Sequence, residues 1–383
     1  MKILFVLNNM YLRGNGLCAS AQRTIDFLKK AGEDVRVLSG KNDDPNGPQP
    51  EFLLAEEMHI PPFDNLIHSQ GYQFSKNDEK VIGEALRWAD VVHLEEPFHV
   101  QWKVARMAKK MGVPCTATYH LHPENIFCNV KMDGWRFLNN ATLMLARDVV
   151  YNYCTDIQCP TLNVLERLKA FNFKARLHLI SNGLVPAETL RKKGTVKDPD
   201  APWLVTCIGR LSNEKDQFTL LNSMKYSKFA KNIQLYFAGR GPEEQKIVAL
   251  ANKLYEDGVL AYRPIFAFHT IPELIELSSR SDLYIHCARV EVEGLSALEA
   301  MQQAVVPIIA EARLSATSQF ALDSRSLFPV GNPRALAERI DYWLSNPEEL
   351  ERMRWEYAAS VDKYKIDKSI AALIDMFHQA IGR

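Results

Sequence analysis

Two positively charged side chains, Arg210 and Lys215, stand five residues apart directly after an apolar run from Leu204 to Ile208. The run predicts a buried strand, and the polar turn after it leads to a helix near Phe218. In an open parallel sheet, ligands bind beyond the carboxyl ends of the strands, so both cations are expected in a crevice. An arginine fork can hold two phosphate oxygens, and a lysine supplies a point charge. Taken alone, a solvated turn explains the pair equally well.

Two carboxylates, Glu291 and Glu299, lie eight residues apart around an apolar helix that starts at Gly294. Glu299 should be paired or face a polar cleft, because burying an unpaired carboxylate is expensive. Two vicinal ribose hydroxyls would satisfy its oxygens, and Glu291 can accept the hydroxyls of a hexose. The first-turn N–H groups of Gly294, Leu295 and Ser296 favour phosphate oxygens. The alternative is a core helix in which Glu299 makes a structural hydrogen bond.

Together the two clusters describe a pocket for a sugar joined to a diphosphate. At these residues the sequence resembles the retaining glycosyltransferases of family 4 (glycosyl transferases group 1), which have the GT-B fold. The family carries Gly-Arg-Leu with a lysine five residues after the arginine, and Glu-x7-Glu followed by Ala-Met; the matching residues are Gly209, Arg210, Leu211, Lys215, Glu291, Gly294, Glu299, Ala300 and Met301. The resemblance covers nearly the whole chain, since it extends to Phe237 to Glu244, Ser181 to Gly183, and the opening Met1 to Leu4 with the Gly14-Asn-Gly16 loop.

The resemblance implies an α/β protein with two Rossmann-like doubly wound domains that face each other across a cleft. It also implies that Gly209 belongs to the donor site and that the loop of Gly14 and Gly16 closes over donor and acceptor. Glycines there let the backbone approach phosphates, although a plain strand-to-helix turn is as good an explanation. Several positions depart from the family pattern: Ser181 replaces a proline, Asp216 and Ala304 replace glycines, Cys287 and Ala288 stand for Pro-Ser, and Glu293 stands for an aromatic residue.

Two histidines follow a predicted strand that runs from Cys115 to Tyr119. A histidine after a strand is more often a packing residue than a catalytic one. Family members, including diacylglycerol glucosyltransferases, have a similar Tyr-His, so the resemblance makes His120 the residue that contacts the donor sugar. His122 is the weaker candidate, and His93 is expected to be a satisfied core or cleft-lining histidine.

The composition is that of an ordinary globular protein in a reducing compartment. A chain of 383 residues suits two domains, and 46 basic against 46 acidic residues leave no net field to attract nucleic acid. The seven cysteines are odd in number and have no CxxC spacing, so we expect buried thiols without a metal site. The apolar start is cut short at Asn8 and is expected to be a buried strand. A cytoplasmic location follows, with peripheral contact at the inner face of the membrane left open.

Short β-rich runs alternate with helical stretches in both halves, which predicts parallel sheets. The predicted strands are Ile3 to Leu7, Val35 to Leu38, Val91 to His93, Cys115 to Tyr119, Ile157 to Cys159, His178 to Ile180, Leu204 to Ile208, Gln234 to Phe237, Leu283 to Ile285 and Val306 to Ile309. The first helix is expected from about Ala19, and the charged segment Arg191 to Pro202 as the interdomain linker. The predicted domains are 1–183 on the acceptor side, 184–360 for the nucleotide sugar, and a C-terminal helix in 361–383 that crosses back.

A basic stretch from His99 to Met111 includes Trp102 and the cations Lys103, Arg106, Lys109 and Lys110. Basic amphipathic helices can lie on anionic lipid surfaces. The favoured explanation is nevertheless a solvated helix that packs its Val104 and Met107 face.

The leading hypothesis is transfer of a glucose-like hexose from a UDP-sugar to an acceptor hydroxyl with retention at the anomeric carbon. Arg210, Lys215 and the start of the Gly294 helix would stabilise the departing diphosphate without a metal or other cofactor. No Asp-x-Asp motif stands at a strand end. The acceptor stays open among a lipid such as diacylglycerol, an envelope glycan and a small glycoside. A nucleotide-sugar epimerase of GT-B architecture and a noncatalytic nucleotide-sugar-binding subunit are the rival hypotheses.

Overall fold

A computed structural model describes residues 1–12, 14–44, 46–62, 64–69, 71–128, 132, 134–194 and 197–382. Contacts divide the chain into two compact units. The first comprises residues 1–127, 132–183 and 366–382, and the second comprises Leu184–Lys365 together with Cys128. The predicted domain limits lay at 183/184 and 360/361. The later limit falls at 365/366 because Leu184 donates its backbone N–H to the carbonyl oxygen of Tyr364 at 2.7 Å.

The first unit is built on a seven-stranded parallel sheet in the order β3-β2-β1-β4-β5-β6-β7. Its strands are β1 (Lys2–Val6), β2 (Asp34–Gly40), β3 (Phe52–Leu54), β4 (Val91–Leu94), β5 (Cys115–Thr118), β6 (Asp156–Cys159) and β7 (Arg176–Leu179). The helices between them are α1 (Gly16–Lys30), α2 (Asp64–Ser69), α3 (Glu79–Trp88), α4 (His99–Met111), α5 (Pro123–Phe127), α6 (Arg136–Val149) and α7 (Leu162–Ala170). Strand β4 is buried along its whole length, as expected for a parallel sheet covered on both faces.

The second unit repeats this architecture with a six-stranded parallel sheet in the order β10-β9-β8-β11-β13-β15. Its strands are β8 (Trp203–Ile208), β9 (Ile233–Ala238), β10 (Ile265–Ala267), β11 (Leu283–His286), β12 (Val290–Glu291), β13 (Val306–Glu311), β14 (Leu314–Ser315) and β15 (Leu327–Pro329), of which β12 and β14 pair separately. Its helices are α8 (Gln217–Ser223), α9 (Glu244–Glu256), α10 (Ile271–Arg280), α11 (Leu295–Gln302), α12 (Pro333–Ser345) and α13 (Pro347–Ser360). The last helix, α14 (Ile366–Ala380), belongs to the first unit.

The interpretation of Arg191 to Pro202 as a linker is wrong for the described part of that segment; Thr195 and Val196 lie outside the described residues. The Arg191 guanidinium donates to the carbonyl oxygen of Ser281 at 2.8 Å. The Lys197 ammonium donates to the Asp282 carboxylate at 2.8 Å. The segment therefore belongs to the second unit, and its charges attach it there.

Two other expectations resolve clearly. All seven cysteines are buried and none forms a disulfide bond, which confirms the prediction of buried thiols. Helix α1 begins at Gly16 rather than Ala19, because the Asn15 side chain accepts from the N–H groups of Leu17 and Cys18 and caps the helix early. Of the helices in the described residues, none combines the length and apolar character needed to cross a bilayer.

Ala304 adopts a left-handed backbone with φ of 54°, directly after the C-cap of α11. That conformation costs about 1 to 2 kcal/mol for a residue with a Cβ. We expect Ala304→Gly to raise the free energy of unfolding by about 0.5 to 1 kcal/mol, because relief of strain exceeds the added entropy of the unfolded chain. Chemical denaturation measures the change. The same substitution at the buried, helical Ala337 should instead destabilise by about 1 kcal/mol, and equal signs at both positions would contradict the argument.

Asp156, fully buried at the start of β6, accepts hydrogen bonds from Arg176 at 2.8 Å and His178 at 2.7 Å. Burial raises the pKa of its carboxyl, but these bonds outweigh burial and lower the pKa to about 2. A carboxyl whose pKa is lower in the folded than in the unfolded state stabilises the fold at pH values above its unfolded pKa. That contribution is lost as the pH falls toward 2. Asp156→Asn should therefore lower the free energy of unfolding at pH 7 by about 2 kcal/mol.

The pH dependence separates this effect from a packing defect. The difference between Asp156→Asn and wild type should shrink as denaturation is repeated below pH about 4. Asp375→Asn, at an exposed position of α14, is the control and should change stability by less than about 0.5 kcal/mol. A difference that stays constant across the acid range would show that the charge of Asp156 is not what stabilises the unit.

Candidate active site

The candidate site of the second unit lies where β8 and β11 end. These strands are neighbours in the sheet, with Thr206 paired to Tyr284. The chain continues from β8 to β9 on one side and from β11 to β13 on the other, so the strand order reverses between them. Such a switch point leaves a crevice at the carboxyl edge of a parallel sheet. Gly209, Arg210 and Lys215 follow β8.

Close backbone packing shapes the loops at this edge. Gly209 has φ of 146°, and its carbonyl oxygen would lie 2.1 Å from a Cβ added to Gly239. A Cβ added to Gly241 would lie 2.3 Å from the carbonyl oxygen of Leu211. The Gly-x-Gly after β9 therefore serves to let two loops touch.

Arg210 is held by its own turn. Its guanidinium donates to Glu214 Oε1 at 2.8 Å, and the Gln217 side chain donates to the Arg210 carbonyl oxygen at 2.8 Å. The Glu214 side chain is buried, whereas that of Arg210 is 29% exposed. The buried Glu214 thus holds the arginine in place, while part of the Arg210 side chain is exposed to solvent.

Lys215 and Glu291 form a direct ion pair, although 76 residues separate them in sequence. The lysine is 25% and the glutamate 17% exposed, so the pair is accessible from the crevice. Burial raises the pKa of the Glu291 carboxyl, but the Lys215 charge, the nearby His286 and the hydrogen bonds to the carboxylate together lower the pKa by more. Glu291 is therefore an ionised acceptor for hydroxyl groups.

Helix α11 starts beside Glu291, and Gly294 is its N-cap with φ of 89°. Thr317 lies directly against Gly294, since an added Cβ would stand 2.3 Å from Thr317 Oγ1. Within the described residues, the N–H groups of Gly294, Leu295 and Ser296 donate no hydrogen bond. They are available to an anion, as the first turn of a helix commonly is.

Glu299 is exposed on α11, so the burial penalty considered from the sequence does not arise. Tyr284 lies close enough to both carboxylates to sense them: burial raises the pKa of its phenol, and the charges of Glu291 and Glu299 raise the pKa further. The second unit thus brings Arg210, Lys215, Glu291 and the start of α11 to one sheet edge.

In the first unit, His120 stands two residues after β5, and its Nε2 lies 2.5 Å from Glu95 Oε2. Glu95 is buried and also lies 3.5 Å from His93 Nε2. Burial raises the pKa of the Glu95 carboxyl, but the His120 and His93 imidazoles lower it more. Glu95 therefore orients His120 as an ionised partner. His120 Nδ1 has no hydrogen-bond partner in the described part of the chain.

The other histidines of this region are structural. His93 is fully buried and bonds Thr116 and Thr118 at 2.8 Å each, which confirms it as a satisfied core histidine. The weaker candidate His122 is also buried, with Tyr119 Oη at 3.1 Å and an Arg167 nitrogen at 2.9 Å from its Nδ1.

The Gly14–Gly16 loop precedes α1. Gly14 has φ of 76°, whereas a Cβ on Gly16 would meet nothing within 4 Å, so only Gly14 requires glycine. The first-turn N–H groups of Leu17 and Cys18 are already bound by Asn15. Phosphate binding at this loop stays a prediction.

Sequence reasoning missed three residues that hold the candidate groups in place: Glu214, Glu95 and His286. Glu214 lies four residues after Arg210, a spacing that was available as a signal. Glu95 follows β4 and His286 ends β11, so their position at the carboxyl edges of strands was the remaining signal.

Comparison with known proteins supplies the family. Residues 14–188 match the model described as Glycosyltransferase Family 4, and residues 188–360 match Glycosyl transferases group 1. A GDP-mannose-dependent alpha-mannosyltransferase of Mycolicibacterium smegmatis is 22% identical over 81% of this chain and 79% of that protein.

Among solved structures, Anabaena HepE in complex with UDP-glucose is 14% identical over 99% of this chain and 100% of that chain, with a TM-score of 0.72. The catalytic domain of cholesterol-alpha-glucosyltransferase from Helicobacter pylori is 44% identical over 43% of this chain and 100% of that chain, with a TM-score of 0.39. Two consecutive family models and the shared fold lead to one assignment. The chain is a glycosyltransferase that belongs to family 4 and has the GT-B fold.

Proposed function

We propose that the chain transfers a hexose from a UDP-hexose to an acceptor hydroxyl with retention at the anomeric carbon and without a metal. The contact between Lys215 and Glu291 beside the first turn of α11 carries this proposal. This contact supports the proposal because a cation that can bind a diphosphate lies next to an anion that can accept sugar hydroxyls. The rival epimerase and noncatalytic functions are disfavoured by the family assignment and by these charged residues.

Each group has a role in this proposal. The Arg210 fork, the Lys215 ammonium and the N–H groups of Gly294 and Ser296 neutralise the charge that develops on the departing diphosphate. An ammonium has three donor hydrogens, so Lys215 can hold Glu291 and a phosphate oxygen together. Leu295 adds its N–H group to the same turn. Glu291 binds the hexose, Glu299 the ribose, and His120 a hydroxyl of the transferred sugar.

The reaction conserves atoms as a single substitution. The bond between the anomeric carbon and the β-phosphate oxygen breaks, and the acceptor oxygen bonds to the same face of that carbon. The acceptor proton passes to an oxygen of the departing β-phosphate. Proton NMR of the product gives the anomeric coupling, and an inverted anomer would overturn retention. Activity that survives EDTA is expected, and loss restored by a divalent metal would overturn metal independence.

A binding panel tests the donor. UDP is the proposed nucleotide, supported by the solved relative in complex with UDP-glucose, whereas the mannosyltransferase relative is GDP-mannose-dependent. Calorimetry with UDP-glucose, UDP-galactose and GDP-mannose should show the tightest binding for a UDP-hexose. Product analysis then separates the activities: UDP and a glycosylated acceptor for transfer, an altered donor for epimerisation. Preference for GDP-mannose would overturn the nucleotide assignment.

We propose a lipid acceptor, reached where the first unit touches a membrane surface through α6. Phe137, Met144 and Leu145 are 89%, 44% and 62% exposed on this helix, and Trp135 before it is 62% exposed. Grouped exposed apolar side chains commonly mark a protein or membrane contact. The basic helix α4 fits worse, because Lys103 pairs with Glu79 and Arg106 covers the Trp102 ring.

Vesicle cosedimentation tests this surface. Replacing Phe137 and Leu145 together with serine should weaken binding to phosphatidylcholine vesicles containing phosphatidylglycerol by about tenfold or more, since two large apolar side chains no longer enter the lipid. Ile271→Ser removes a 72% exposed apolar residue from the second unit and should leave binding unchanged. Equal binding by the double variant and wild type would exclude α6 as the contact.

A further inference from the structure

His286, the last residue of β11, contacts Tyr284 of its own strand and groups from two other segments of the second unit. Its Nδ1 lies 3.0 Å from Tyr284 Oη, and its Nε2 lies 3.2 Å from Thr317 Oγ1 and 3.6 Å from Glu291 Oε2. Tyr284 Oη in turn lies 2.8 Å from Ser296 Oγ on α11. The imidazole is 4% exposed, so these groups and the nearby Lys215 charge are its main polar surroundings among the residues that the structure describes.

The directions of these hydrogen bonds follow from counting protons. Thr317 donates its one hydroxyl proton to the carbonyl oxygen of Glu293 at 3.3 Å, so toward His286 it can only accept. His286 Nε2 must then carry the proton, which also faces the Glu291 carboxylate. The unprotonated Nδ1 accepts from Tyr284, and Tyr284 accepts from Ser296.

The other forms of the imidazole fit worse. A proton on Nδ1 would turn the Nε2 lone pair toward the ionised Glu291 and make Thr317 choose between two acceptors. The doubly protonated form is disfavoured because burial lowers the pKa of His286 to about 4, despite the opposing effect of Glu291. At neutral pH, only the Nε2–H tautomer gives a hydrogen-bond partner of the right kind to each of His286, Tyr284, Ser296 and Thr317.

These contacts connect the two parts of the proposed donor site. At one end, the Nε2–H group faces the carboxylate of Glu291, which is assigned to the hexose, and restricts its position. At the other end, Tyr284 and Ser296 fix the first turn of α11, which is assigned to the diphosphate, while Thr317 fixes the Gly294 loop between them.

We propose that His286 is a positioning residue that determines how strongly the site discriminates a sugar-bearing donor from the bare nucleotide. The proposal rests on the proposed function, because it assigns Glu291 to the sugar. It names a residue whose loss should spare nucleotide binding and remove sugar recognition.

Calorimetry with UDP and with UDP-glucose tests it on three full-length variants. His286→Leu should bind UDP within about threefold of wild type, but the affinity gained from the glucose should fall about tenfold, the range of one lost hydrogen bond between a sugar hydroxyl and the charged Glu291. His286→Gln, whose amide can accept and donate, should restore part of that gain. His269→Leu is the matched control, since that histidine also bonds a tyrosine, Tyr236, at 2.7 Å. An unchanged ratio of the two affinities in His286→Leu would overturn the proposal.

NMR of the imidazole nitrogens tests the inferred hydrogen bonds of His286 without any nucleotide sugar present. In protein labelled with ¹⁵N-histidine at pH 7, the signals absent from the His286→Gln spectrum should be those of a neutral Nε2–H tautomer. An Nδ1–H tautomer or an imidazolium would overturn the inferred hydrogen bonds and the proposal that rests on them. Absence of transfer from every nucleotide sugar, with these signals as expected, would instead count against the proposed function alone.

Discussion

Lys215→Ala is expected to lower the rate of hexose transfer by about a hundred to a thousandfold, the usual effect of removing one preorganised group that stabilises developing charge. The variant loses the cation that we propose binds the diphosphate, and it also removes a charge that lowers the pKa of the Glu291 carboxyl. Initial rates of UDP release measure the loss. Weaker binding of UDP itself should accompany it.

Glu291→Ala separates the two halves of the pair. It should also abolish transfer. UDP should bind nearly as in wild type, because the protein groups that we propose bind the diphosphate remain. Two exposed positions serve as controls, Lys253→Ala on α9 and Glu338→Ala on α12, and both should keep full activity. Thermal melting of all four variants checks that the fold survives. Turnover like that of wild type in Lys215→Ala or Glu291→Ala would refute the site.

Gly294→Ala is expected to be the second most damaging change. Gly294 has φ of 89°, and the new methyl group would stand 2.3 Å from Thr317 Oγ1 and 2.9 Å from Cγ2. Thr317 is fully buried and has little room to move. Left-handed strain and overpacking together should destabilise the protein by about 3 kcal/mol. A shift of about 1 Å in this loop should reduce transfer about a hundredfold.

The double variant Gly294→Ala with Thr317→Ala tests the stated cause. Removing the threonine hydroxyl and methyl leaves the Thr317 Cβ, at 3.1 Å from the added methyl, as the nearest atom. Denaturation should show a favourable coupling of about 1 to 2 kcal/mol between the two changes. Transfer should not return, because His286 has lost its acceptor and the backbone strain persists. Strictly additive effects on stability would show that the clash does not limit the single variant.

The interior of both sheets was predictable, and their margins were not. All ten strands predicted from apolar runs are present, with ends that differ by at most two residues. The missed sheet strands β3, β10 and β15 have three residues each, and all three lie at sheet edges. Edge strands are short and need not be continuously apolar, because one side has no neighbour. Three residues are too few to show a period.

The candidate site divides in the same way. Arg210, Lys215, Glu291 and Gly294 could be predicted as candidates because they are residue types that suit phosphate and hydroxyl groups and they follow predicted strands; their roles stay a prediction. The linker interpretation failed because charge, glycine and proline look alike in a free segment and in one bound to Asp282. Glu95 and His286 were missed because their roles depend on partners 25 and 31 residues away, His120 and Thr317, which no local spacing reveals.

Helix α14 has a consequence for the order in which the protein assembles. Ile370, Leu373 and Phe377 are buried in the first unit, and Phe377 meets the His93 ring edge-on with centroids 5.2 Å apart. During synthesis, residues 184–365 leave the ribosome before this helix does. The second unit can therefore complete its core as soon as it has been translated. The first unit is translated earlier, but its core stays incomplete until α14 has been made. Loss of that piece would expose the surface around His93 and leave the second unit intact.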